Sequence, residues 1–74
     1  MKGIAMQPSM WVIYDHPADH PDCFVARLWE GDRPTSQKQF AKNLDELRAA
    51  MRSRGRTCLP RHKSDDPVIV ESWL

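Results

Sequence analysis

The chain is poor in cysteine, in glycine and in long apolar runs, and it carries almost no net charge. Each shortage removes a class of protein. Two cysteines, Cys23 and Cys58, cannot build the multi-bridge framework of a small secreted domain. The three glycines, Gly3, Gly31 and Gly55, are isolated and form no phosphate-cradling loop. No stretch approaches the ~20 consecutive apolar residues of a membrane-spanning helix, and residues 1–9 lack the apolar segment of a signal peptide. A formal net charge of +1 gives no whole-molecule field to draw in a polyanion. The expectation is a cytoplasmic protein with no membrane attachment, and no cofactor-binding motif is present.

What remains is a globular composition, 41% hydrophobic and 28% charged, which excludes a disordered chain. Seventy-four residues make one domain at most, read as a loose leader over 1–9 and a folded part over 10–74. A chain this short buries only ~60% of its unfolded surface, so a second copy or a protein partner would add stability.

The patterning predicts an α+β domain in the order β-β-β-α-β, with an antiparallel sheet and one helix packed on one face. Met10 to Tyr14 is a β-branched and aromatic run that favours a strand. The Pro- and Asp-rich stretch 15–22 is a loop. Residues 23–29 form a second strand, with Phe24, Ala26 and Leu28 on one face and Val25, Arg27 and Trp29 on the other. A turn at 30–34 leads to a polar edge strand over 35–41, whose Lys38 suits an exposed edge. Asn43 caps a helix over roughly 44–54, with Glu46 placed for a capping box and Leu44, Leu47 and Met51 on one stripe. Leu59 re-enters the core, and Val68 to Leu74 is the last strand, expected to be packed. Both faces of that strand are apolar. The reading adopted puts Val68, Val70 and Leu74 under the helix and Ile69, Glu71 and Trp73 on the uncovered face, where Trp11 and Ile13 join them.

On that reading the uncovered face is the foremost functional candidate. Trp29, Trp73, Arg27, Ile69 and Glu71 would form an interface for a second copy or another protein, since Trp and Arg are enriched at binding hot spots. A loop or the leader folding over the tryptophans, and an aromatic platform for a ligand, are the alternatives. The runner-up is a basic tract running from Arg48 to Lys63 without an acidic residue. Its Arg48, Arg52, Arg54 and Arg56 could hold a phosphate backbone, as in a nucleic-acid-binding or antitoxin-like regulatory module. The bland reading is a helix end whose charges complement its dipole.

Metal and catalytic readings carry less. Asp15, His16, Asp19, His20, Asp22 and Cys23 all offer ligand atoms, but the intervening prolines forbid helical spacing, so a solvated loop is expected and no metal is assigned. Cys23 with His20, or Cys58 with His62, lacks an identifiable third group to orient a base. Both thiols are read as buried structural groups, and no enzyme activity is expected.

The combination Trp11-Val12-Ile13-Tyr14-Asp15-His16-Pro17, Phe24-Val25-Ala26-Arg27-x-Trp29-Glu30, Leu44-Asp45-Glu46-Leu47-Arg48, Leu59-Pro60-Arg61 and Asp65-Asp66-Pro67-Val68-Ile69-Val70-Glu71-x-Trp73-Leu74 resembles a family of short uncharacterised bacterial and prophage proteins. The resemblance spans nearly everything after residue 9 and implies a compact cytoplasmic domain, with no site residues. The element order is also similar to HicB-type antitoxin domains in topology, although Phe40-Ala41-Lys42-Asn43 stands where those domains carry a glycine- and threonine-rich stretch.

Overall fold

The computed structural model describes residues 9–61 and 67–74. His62, Lys63, Asp65, Asp66 and most of the leader lie outside the described residues. Ser9, assigned to the leader, already belongs to the first strand.

Five strands and one helix make up the described fold. They are β1 (Ser9–Asp15), β2 (Phe24–Glu30), β3 (Arg33–Ala41), α1 (Leu44–Ser53), β4 (Cys58–Pro60) and β5 (Ile69–Trp73). The sheet is antiparallel throughout, in the order β3-β2-β1-β5-β4. The α+β class and the single helix stand as read from the sequence. The extended piece around Leu59 is a further strand, so the order is β-β-β-α-β-β.

The first three strands form a meander. Gly31 takes a left-handed φ of 62° at the first position of the two-residue turn that joins Glu30 to Arg33, a conformation that costs glycine nothing. The helix starts where Asn43, in extended conformation, accepts a hydrogen bond from the Glu46 backbone N–H at 3.0 Å. It stops at Gly55, whose φ of 74° is the usual left-handed exit. Because β3 and β4 occupy opposite edges, α1 must carry the chain across the whole sheet. Its apolar stripe, Leu47 and Met51, is completely buried against that face.

Beneath the helix lie Trp11 and Ile13 from β1, Ala26 and Leu28 from β2, and Trp73 from β5. This corrects the expected assignment of β5, and of Trp11 and Ile13. Register explains the correction. Trp11 pairs with Trp73 and Ile13 with Glu71, so all four point to one side. A bulge between Ile13 and Tyr14 then brings Tyr14 opposite Ile69 and leaves Val70 as the extra residue. Val70 accordingly packs against the same core as Trp73, while Ile69 keeps its place on the uncovered face. Alternation alone could not find this, because the bulge breaks it.

Two smaller readings are also corrected. Leu59 does not re-enter the core but stays 38% exposed, because it pairs with Ser72 on the uncovered side. Cys58 is exposed and Cys23 half-buried, and both are free thiols.

Leu47 is the central knob of the helix. Leu47→Ala should cost about 3 kcal/mol, from lost burial and the cavity left behind. A shift of the urea midpoint, with the slope unchanged, is the measurement that checks it.

Candidate functional site

Two regions gather the polar and aromatic residues singled out above, one under the helix and one on the opposite face of the sheet.

Under the helix sits Glu71, a carboxylate with only 6% of its surface exposed. Burial of this kind is affordable only with partners, and three atoms supply them. Arg48 makes a fork, Nε to Oε2 at 3.1 Å and Nη2 to Oε1 at 2.9 Å. The Trp73 indole N–H donates to Oε2 at 2.8 Å. Burial pushes the Glu71 carboxyl up, but the Arg48 and Trp73 hydrogen bonds outweigh it and hold the group below its ordinary value. The adjacent Cys58 thiol moves the other way, raised by burial and then by the Glu71 charge. That thiol is therefore a poor nucleophile at neutral pH.

Arg52, Arg54 and Arg56 are also engaged within the fold. Arg52 lies over the Trp73 ring at 5.9 Å, near the outer limit for such a contact, and Arg54 over Trp11 at 4.8 Å. Arg54 also donates to Gln39, and Arg56 donates to the carbonyl and hydroxyl of Ser9 at 3.1 Å. The four residues considered for nucleic acid thus close the helix onto the sheet. The Trp11 indole N–H has no acceptor among the described residues.

The other face differs from the predicted interface in its membership. Trp73 and Glu71 are absent from it. Trp29, Arg27 and Ile69 remain, joined by Met10, Tyr14 and Phe40, which pair with Trp29, Val25 and Val25 respectively. Ile69 faces Tyr14 on the other flank of β1. The Trp29 indole donates to the Tyr14 hydroxyl at 3.2 Å, tying the two rings together. Trp29, Tyr14, Met10 and Ile69 are each half-buried, and Phe40 is 50% exposed. Alternation groups Tyr14 with Met10 and Val12, but with Trp11 and Ile13 expected on this face it puts Tyr14 on the wrong side. The pairing of Phe40 with Val25 was not legible in the sequence, because a second bulge shifts β3 between Arg27 and Trp29. Thr35 stitches that bulge: its hydroxyl donates to the Leu28 carbonyl at 2.8 Å, and its own carbonyl accepts from Arg27 Nε at 2.9 Å.

The loop between β1 and β2 turns back over one end of this face. His16 adopts a left-handed φ of 47° directly after β1. Its ring contacts Phe24, and His20 contacts Phe40 with ring centroids 4.7 Å apart. Asp15 pairs with its neighbour His16. Among the described residues no group of three or more His, Cys, Asp or Glu side chains is arranged to hold a metal ion. No helix among them is long and apolar enough to cross a membrane.

The Glu71 centre yields a signed expectation. A carboxyl whose pKa is lowered by folding contributes stability above its unfolded pKa, about 4.3, and loses it as pH falls through the folded value. Glu71→Gln should therefore flatten the acid limb of the stability curve. Arg48→Met should cost about 2–3 kcal/mol at pH 7, less than for an enclosed pair because the Arg48 side chain is 35% exposed. Denaturant titrations from pH 3 to 7 check both.

Comparison of the chain with models of protein families, with curated proteins and with solved structures gives no match.

Proposed function

We propose that this is a binding protein without catalytic activity that self-associates through the uncovered face of its sheet. One observation carries the reading: no described helix or strand packs over the side of the sheet that presents Met10, Tyr14, Trp29 and Ile69. Small domains are built from packed layers, and a five-stranded sheet with one helix supplies only two. A second copy is the simplest third layer, since a two-fold interface needs only one self-complementary patch. Trp29 and Arg27 are of the residue types that dominate such patches. Arg27 is held by Thr35 and Trp29 by Tyr14, so both side chains are preorganised and lose little freedom on docking.

The second reading is a nucleic-acid-binding or antitoxin-like regulatory module using Arg48, Arg52, Arg54 and Arg56; it ranks behind self-association because the same guanidinium groups also serve the helix–sheet contact.

Ile69→Lys places a charge in the patch and leaves the helix-side core untouched. The unmutated chain should sediment as a dimer at tens of micromolar, and Ile69→Lys as a monomer with the same circular dichroism. If the unmutated chain is still monomeric at about 1 mM, where association would be weaker than about −4 kcal/mol, self-association is lost as a function.

A further inference from the structure

A cavity of about 150 Å³ lies between the β1–β2 loop and the sheet, lined by Tyr14, Pro17, Asp19, His20, Val25, Arg27 and Lys38. The group is unusual in its charge. Arg27 and Lys38 are direct cross-strand partners and both face the cavity. Like charges placed opposite each other in an antiparallel pair repel. Here both side chains are also half-buried, which weakens the screening by water. The resident compensation is slight. Asp19 sits 3.9 Å from Lys38 Nζ and 3.8 Å from His20 Nε2, too far for hydrogen bonds, and its side chain is 66% exposed.

The donors converge without acceptors to match. Arg27 spends Nε on the Thr35 carbonyl, which fixes the plane of its guanidinium. Its terminal nitrogens have no hydrogen-bond partner among the described residues. The Tyr14 hydroxyl accepts from Trp29, leaving its own proton to donate. Lys38 Nζ offers three donors on a point charge. Val25, 3% exposed, and Pro17 give the floor and one wall an apolar surface. We infer that this cavity is a binding site for a small oxyanion, a carboxylate or a phosphate, held by Arg27, Lys38 and Tyr14, with Asp19 as the group it displaces. The volume suits a short-chain acid or a single phosphate group. This inference rests on the cavity alone and does not depend on self-association.

The test uses the whole chain, isotopically labelled, titrated separately with acetate, inorganic phosphate and chloride at one fixed ionic strength. The Arg27 Nε–H and Trp29 indole resonances are followed. Acetate or phosphate should saturate the shifts at millimolar concentration, at least tenfold below chloride, and the tighter of the two identifies the anion. Lys38→Met should weaken binding at least tenfold while the thermal midpoint holds or rises, because the repulsion is relieved. Asp19→Asn should tighten binding severalfold. Shifts that grow without saturation, that match those of chloride, or that survive Lys38→Met unchanged overturn the site. Repeating the titration at chain concentrations below and above the dimerisation range separates it from assembly: an anion site that persists in the monomer stands whether or not the chain dimerises.

Discussion

The fold depends on a carboxylate that must not be left alone. Glu71 is placed in the helix-facing layer by the pairing of β5 with β1, where an unpaired charge would cost several kcal/mol. Arg48 reaches it from a helix 23 positions away in sequence, and Trp73 from two positions along the same strand. These bonds do more than offset burial. They fix which way β5 faces, since a slip of one residue would turn Glu71 outward and strand Arg48. They also fix the helix in rotation and translation, because the two-point fork tolerates little displacement.

The other arginines extend the same constraint. Arg52 and Arg54 lie over the two tryptophans that the helix covers, and Arg56 ties the segment after the helix to the start of β1. Their aliphatic stems and cationic heads take over part of the covering that a larger helix would provide. A small domain can thus hide two indoles beneath a ten-residue helix. Arg48, Arg52, Arg54 and Arg56 thus contribute to the architecture of the helix–sheet contact.

The sequence is transparent where one periodicity rules and opaque where two chains of reasoning meet. Phe24, Ala26 and Leu28 alternate with Val25, Arg27 and Trp29, and the fold keeps that division. Asn43, Leu47, Met51 and Gly55 delimit the helix almost to the residue. In β5 each alternating set mixes apolar residues with one polar residue, Val70 with Ser72 and Ile69 and Trp73 with Glu71, and of the two a charged glutamate argues more strongly for solvent. The argument fails because its partner is distant in sequence and its bulge is invisible to alternation. Lys38 misleads similarly: an edge lysine is normally a guard against pairing, yet here it turns inward, opposite Arg27, beneath a loop. Three of the five residues expected on the uncovered face lie there: Trp29 and Arg27 follow strand parity, whereas Ile69 parts from Glu71 and Trp73 at the bulge.

The three tryptophans end in three different environments, and this makes the molecule its own optical instrument. Trp73 is enclosed with its N–H on a carboxylate, Trp11 is enclosed beside a guanidinium, and Trp29 is half in water with its N–H on a phenol. Indole emission moves to longer wavelength as water gains access to the ring. The blue side of the spectrum therefore reports the helix lid, and the red side reports the open sheet face. Loosening of one and occupation of the other become separable in a single unlabelled sample, without adding a dye or changing a residue.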